Sequence, residues 1–277
     1  MLRSILVGLD GSAYSGAAVE LGIRWARRFE ALLVGLGIVD EPTICKREPV
    51  AIGGGHYKRE RDQRLLSNAR RRVEAFLDQF VRRCAQEGVR CRVLEEVGLP
   101  STQIVQESRL HDLVMLGQQS YFHFETQDWP DETVRNVLRQ SSRPVVTVPE
   151  ALCDGGCVVV AYNGSPQADR ALQAFCALGL PGPNEVHVVS IHADRAAAAR
   201  LAEQAVTFLT LHGVRAVAHP LHCAMGVSKT ILAQVRELPA ELLVMGAYGR
   251  SMWQEFVLGS VTTSVLKASP VPVFLCH

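Results

Sequence analysis

The chain holds 277 residues, 48% of them apolar and 21% charged, with a formal net charge of +1. That length exceeds what one compact domain usually takes and suits two domains of about 100 to 150 residues, each with its own core. The near-neutral balance gives no electrostatic drive toward nucleic acid or an anionic bilayer, and the opening apolar run is far shorter than a signal h-region or the roughly 20 residues of a spanning helix. Neither nucleic acid nor membrane is therefore expected as a partner, and a cytoplasmic location is expected.

The first predicted strand, Ile5 to Leu9, closes on Asp10-Gly11-Ser12, and a helix-like stretch from Gly16 to Phe29 follows. Further apolar runs stand at Leu32 to Val39, Val89 to Val93, Leu113 to Leu116 and Val145 to Val148, with a second helical stretch from Leu65 to Cys84. Strands that are apolar on both faces and alternate with helices predict a parallel sheet covered on both sides.

Gly53-Gly54-Gly55 predicts a flexible loop before the long helix. From His56 to Arg72 that helix is rich in Lys and Arg, and Val73, Phe76, Leu77, Phe80 and Val81 follow at helical spacing. An amphipathic helix with a solvated basic face is expected, and docking of an acidic partner is the other use such a face allows.

In doubly wound sheets ligands bind beyond the carboxyl ends of the strands, so the loops after the first and fourth strands matter most. In this half the fourth strand ends Gly117-Gln-Gln-Ser120-Tyr121, with no Gly-Ser or Gly-Thr pair before the next helix. Gln118, Gln119 and Tyr121 are expected to crowd out any phosphate that needs close backbone approach. His56, His111, Asp112, His123, Glu125 and Asp128 are metal-ligating residue types, but their spacing matches no familiar zinc pattern.

Pro149 to Gly156 interrupts the apolar runs and reads as a short linker, dividing the chain into domains 1–150 and 155–277. The eight cysteines read as reduced, mostly buried small hydrophobes. Cys153 and Cys157 lack Cys-x-x-Cys spacing.

The second half then repeats the first. Apolar runs fall at Val158 to Tyr162, Glu185 to Ile191, Val214 to Pro220, Leu242 to Met245 and Val271 to Leu275. Ser4-Ile-Leu-Val-Gly-Leu-Asp10-Gly11-Ser12 returns as Val158-Val-Val-Ala-Tyr-Asn163-Gly164-Ser165, and Gly88-Val-Arg90 as Gly213-Val-Arg215. Asp112-Leu-Val-Met-Leu-Gly117 returns as Glu241-Leu-Leu-Val-Met-Gly246, and Arg143-Pro-Val-Val-Thr-Val148 as Val271-Pro-Val-Phe-Leu275. Order is kept throughout, so a duplicated unit is inferred. The expected fold is α/β, with two tandem domains, each a five-stranded parallel, doubly wound, Rossmann-like sheet.

After its fourth strand the second half reads Gly246-Ala-Tyr-Gly249-Arg250, then Gly259-Ser260-Val261-Thr262 at the start of a helix-compatible stretch. Glycines let backbone amides approach a ligand, and a helix N-terminus offers unpaired N–H groups to phosphate. The same glycines could serve only turns and helix packing. No Gly-x-Ser-x-Gly, Gly-x4-Gly-Lys-Ser/Thr or His-Glu-x-x-His motif is present, and no catalytic acid–base pair can be picked out.

The pattern Gly-x2-Gly-x9-Gly-Ser after a predicted strand, within a duplicated α/β unit, resembles the nucleotide loop of the ATP-binding universal stress proteins. The resemblance runs over nearly the whole chain, twice. It implies the fold of the adenine nucleotide alpha hydrolase-like group, and an adenine nucleotide, ATP or else ADP or AMP, lying across the ends of the first and fourth strands, with Mg2+ as an optional companion of the nucleotide. Carried onto this sequence, it places phosphate and ribose on Gly246, Gly249, Gly259 and Ser260, and the residue closing strand one at Asn163. Adenine falls to Ile191 and His192, while Val261 and Arg250 are secondary candidates. Asn163 departs from the usual Asp and is a poorer metal ligand.

The family further implies pairing of Val145 to Val148 with Val271 to Leu275 as an intrachain pseudo-dimer, with a homodimer of chains as a further step. It implies a regulatory, stress-response role in which nucleotide alters a surface read by a protein partner. A slow ATP-hydrolysing or phosphate-transferring enzyme and a non-binding scaffold are the alternatives.

Overall fold

The computed structural model describes residues 1–46, 54–124, 131–223, 226–247 and 259–277. The first half runs β1 (Ser4–Leu9), α1 (Ala13–Phe29), β2 (Leu32–Val39), α2 (Glu41–Ile44), α3 (Gly55–Gln86), β3 (Cys91–Val97), α4 (Pro100–Ser108), β4 (Leu113–Gly117), α5 (Thr133–Gln140) and β5 (Val145–Val148). The second runs β6 (Cys157–Ala161), α6 (Pro166–Ala177), β7 (Glu185–His192), α7 (Arg195–Leu211), β8 (Ala216–His222), α8 (Val227–Glu237), β9 (Ala240–Gly246), α9 (Ser260–Ala268) and β10 (Val273–Cys276).

Local chemistry sets the starts of these helices. The hydroxyl of Ser12 accepts the Ser15 N–H at the head of α1, and Ser165 does the same for the Ala168 N–H at the head of α6. These caps satisfy amides that a helix start leaves orphaned, and Pro166 adds a preset φ at the first turn of α6. Gly55 opens α3, although the sequence suggested a loop there, so the helix is longer than the apolar spacing indicated. Val73, Leu77 and Phe80 face inward as expected, whereas Phe76 is half-buried and Val81 is exposed.

The ten strands of the described residues join one sheet in the order β3-β2-β1-β4-β5-β10-β9-β6-β7-β8. Within each half the pairings are parallel. β5 and β10 meet antiparallel, with Val146 opposite Phe274. Central strands β1, β2 and β4 are buried along nearly their whole length, whereas the edge strands β3 and β8 are half exposed. That contrast follows from position: an edge strand has one neighbour and incomplete cover.

Two cores were expected, one per domain, and the sheet instead divides them by face. One apolar layer includes Ile5, Val7 and Phe175 with Phe274, the other Leu6, Val159 and Val145 with Leu275, and each runs through both halves. Further links cross between the halves. The Met1 amine donates to the Ala177 carbonyl at 2.5 Å, Leu2 N–H donates to the Leu178 carbonyl at 3.1 Å, and the Gln118 amide donates to the Leu266 carbonyl.

Candidate functional site

In the second half β6 leads outward through β7 to β8, and the chain then returns on the other side as β9 and β10, so the direction of winding switches between β6 and β9. Beyond the carboxyl ends of these two strands the structure opens a cleft of ≈ 540 Å³. Asn163, Ile191, His192, Gly246, Gly259, Ser260 and Val261 all line it. Gly249 and Arg250, the other two candidates, lie outside the described residues.

One wall is apolar and the other polar. Ile191, Leu201, Val227 and Ile231 supply the apolar wall, the last two from adjacent turns of α8. Val227 and Ile231 escaped the reading of the sequence, where their i, i+4 spacing registers only as a helix face; that the face borders a cleft depends on the crossover from β8. On the polar side α9 begins at Ser260, after Gly259 in an extended conformation (φ −52°, ψ 141°) with no side-chain cap. Among the described residues no side chain caps its first amides, and the helix dipole favours negative charge there.

Asn163 spends one of its groups locally: its Oδ1 accepts the Ser165 N–H at 3.1 Å and shapes the turn into α6. The carboxamide NH2 is the half of that side chain left to address a ligand, so this position presents donors where an Asp would present acceptors. His192 Nδ1 accepts the Asp194 N–H at 3.0 Å, which places the proton of the neutral ring on Nε2. Beneath the cleft the Tyr162 hydroxyl donates to Asp169 at 2.6 Å, and burial, followed by that carboxylate, pushes its pKa well above the ordinary phenol value.

Gly246 has a packing reason for being glycine. A Cβ there would lie 2.6 Å from Ala168 N and 2.6 Å from Gln167 C, against the backbone of the first turn of α6. Gly117 repeats this in the first half, where a Cβ would lie 2.7 Å from Tyr14 Cβ at the start of α1. Close strand–helix approach is thus common to both halves, whether or not a cleft is present.

The equivalent space in the first half is filled, though not by the residues named from the sequence. Gln118 turns toward the second half, and Tyr121 is exposed, its hydroxyl donating to Gln119 at 3.2 Å. Phe122 occupies the space instead. It is 1% exposed and packs so near β1 that a Cβ on Gly8 would come within 2.9 Å of its ring.

Three carboxylates pin this segment. Asp10 Oδ2 accepts the Tyr121 N–H at 2.7 Å, Asp131 Oδ2 accepts the Phe122 N–H at 3.0 Å, and Asp40 pairs with His123 Nδ1. Asp10 Oδ1 also accepts the Ser12 hydroxyl at 2.6 Å. The acid retained at the end of β1 therefore holds the chain's own backbone.

The remaining metal candidates do not converge. His56 is exposed on α3, His111 is buried near the start of β4, and Asp112 accepts the N–H groups of Arg3 and Ser4 at 2.7 and 3.0 Å. Glu125 and Asp128 lie outside the described residues. Among the described residues no group of three or more His, Cys, Asp or Glu side chains is placed to hold a metal ion. All eight cysteines are free thiols; Cys153 is exposed and Cys84 and Cys157 are buried. No helix of the described residues is long and apolar enough to cross a membrane.

The family model for the universal stress protein family matches residues 1–149 and 157–277. Universal stress protein Slr1230 of Synechocystis is 24% identical over 195 residues, covering 65% of this chain and 67% of that protein. Among solved structures, a universal stress protein from Archaeoglobus fulgidus DSM 4304 aligns with a TM-score of 0.72 at 22% identity, over 99% of this chain and 96% of its own. A putative universal stress protein from Pseudomonas aeruginosa UCBPP-PA14 aligns at 0.65 and 17% identity, over 99% and 93%.

Proposed function

Because the chain belongs to the universal stress protein family, we propose that it is a stress-response protein that binds one adenine nucleotide per chain, in the cleft of its second half. The observation that carries this reading is the meeting of an apolar wall with the uncapped start of α9 at the switch point of the sheet. A purine fits the apolar side, among Ile191, Val227 and Ile231, with His192 at its edge. Phosphate oxygens fit the amides of Ser260 and Val261, and the Asn163 NH2 donates to ribose oxygens. Gly249 and Arg250 complete the phosphate loop in this proposal.

The described lining contains neither carboxylate nor Lys nor Arg. Mg2+ would therefore arrive on the nucleotide phosphates rather than be held by a carboxylate, and the imidazole of the described lining, His192, has its Nδ1 lone pair taken by the Asp194 N–H, which makes it a poor general base for an attacking water. ATP, ADP and AMP are all candidate ligands, and a regulatory role, with the liganded surface read by a protein partner, fits better than turnover.

Calorimetric titration with ATP, ADP and AMP tests the proposal, with a stoichiometry of one expected. Ser260→Glu separates binding from folding. Ser260 is exposed in the first turn of α9, so a carboxylate there should keep or raise stability by about 0.3–1 kcal/mol through the helix dipole. The same carboxylate would repel phosphate, and affinity should fall at least about tenfold, roughly 1.4 kcal/mol. Unchanged affinity in this folded variant would remove α9 from the site.

A further inference from the structure

Toward the amino end of β7, away from the cleft, His187 meets His219 of the edge strand β8. Nδ1 of His187 lies 2.8 Å from Nε2 of His219, with ring centroids 5.0 Å apart. The strands are parallel, and their register sets His219 beside Val189 and His187 beside Val217, so the two imidazoles are diagonal neighbours. They share the sheet face that Val189 presents to Ile231 and Val235 of α8. Glu185, two residues earlier on the same face, places Oε2 3.5 Å from His187 Nε2.

These contacts determine where the protons sit. The Glu185 carboxylate favours the proton of His187 on Nε2, which leaves a lone pair on Nδ1. That lone pair accepts the Nε2–H of His219. The His187 side chain is 15% exposed and Glu185 50%, and His219 is half-buried, so the pair is ordered yet reachable from solvent. Burial, then the neighbouring His187, lowers the pKa of His219 and keeps its ring in the neutral, ligating form.

We propose that His187 and His219 form a binding site for a borderline divalent transition metal, Zn2+, Cu2+ or Ni2+, through His187 Nδ1 and His219 Nε2, with water completing the coordination. Neutral imidazole is the ligand these ions prefer. Two nitrogens bound at about 2.0–2.1 Å to one metal stand roughly 3 Å apart, so the rings need part only slightly, and β8 has no strand on its outer side to resist. His219 moves its proton from Nε2 to Nδ1 as the metal enters, and no net proton is released. Glu185, 3.5 Å from His187 Nε2, is placed to close on that N–H when the metal binds, an arrangement that orients a ligating histidine and raises its basicity. With only two protein ligands the site is of modest affinity and exchanges readily. It lies roughly 16 Å along β7 from His192, at about 3.3 Å per residue, and does not depend on the nucleotide reading.

Metal-free full-length protein titrated with Cu2+ and observed by electron paramagnetic resonance should show one site with coupling to two imidazole nitrogens. Zn2+ should compete for it. His187→Gln and His219→Gln should each abolish the two-nitrogen signal and weaken Zn2+ binding more than about tenfold, while Glu185→Gln should weaken it by about tenfold and keep the signal. His222→Gln should change neither. Equal Zn2+ affinity in wild type and both folded histidine variants would overturn the proposal. So would a wild-type Cu2+ spectrum with no more than one imidazole nitrogen, which decides the matter even if a variant fails to fold.

Discussion

At the scale of single residues, two positions carry consequences that their residue types alone do not announce. Gly246 faces the backbone of α6 at 2.6 Å, so a side chain there must displace a helix rather than a flexible neighbour. Gly246→Val should cost about 1–3 kcal/mol of stability, measured by chemical denaturation, so a loss of nucleotide binding in that variant would not by itself locate the ligand. His123 lies between Asp40 and Asp131. Burial pulls its pKa down, but the hydrogen bond that its ring N–H donates to Asp40 and the charges of Asp131 and Asp40 prevail and raise it. The folded protein thus holds this proton more tightly than the unfolded chain, whose histidines titrate near about 6.5. Its contribution is complete below that pH and fades as pH rises through the folded value. The melting midpoint of the wild type should therefore fall with rising pH above about 6.5 more steeply than that of His123→Gln, and parallel curves would count against the pairing. His123→Leu should be worse than Gln, costing about 1–3 kcal/mol, because it leaves the Asp40 carboxylate, 1% exposed, without the hydrogen bond of the ring.

At the scale of elements, the two halves use the same strand ends for different purposes. Asn163 and the start of α9 border an open cleft, while Asp10, Asp40 and Asp131 hold residues 121–123 down over β1. Phe122 is the plug of that closed site. Phe122→Ala should cost about 3–5 kcal/mol, because the pinned segment cannot collapse into the space that the ring leaves, and a thermal melt would show it. A loss under about 1 kcal/mol would mean that the segment is held by its carboxylates alone. The basic face of α3 also makes contacts of its own. Arg61, Arg71 and Arg72 line a groove with Phe124, while Asp62 takes hydrogen bonds from Lys58 and Arg61 that lower its pKa.

At the scale of the whole molecule, the antiparallel join of β5 to β10 makes one sheet of two half-sheets and lets both apolar layers pass through the seam. Cutting the chain after residue 150 would expose β5, whose Val145, Val146 and Val148 are buried in the intact protein. An apolar strand with unpaired N–H and C=O groups is a template for pairing with another copy. Fragment 1–150 should accordingly self-associate, seen as a dimer or larger species in light scattering, while the full chain should not use this edge. A monodisperse monomeric fragment would show that the seam is not needed to protect β5.

The sequence by itself determined the α/β class, the duplication and the order of the strands, because hydrophobic periodicity and repeated motifs are local and survive in one dimension; the edge strand expected at Val89 to Val93 instead runs Cys91–Val97, where Arg92, Glu95 and Glu96 break the apolar run. Leu32 to Val39 was legible as a strand to the residue, and Gly259-Ser260 as a helix start. The doubly wound pattern pointed to the ends of the first and fourth strands, and the family resemblance added the individual residues there. Only the tertiary structure decided that Phe122, rather than Gln118 or Tyr121, fills the first-half site. It alone showed that Val227 and Ile231 wall the second-half cleft, that Gly246 answers to α6, and that His187 finds His219. Each of these turns on which residues a crossover brings side by side across dozens of intervening positions, and excluded volume in a packed interior fixes that only once the whole chain has folded.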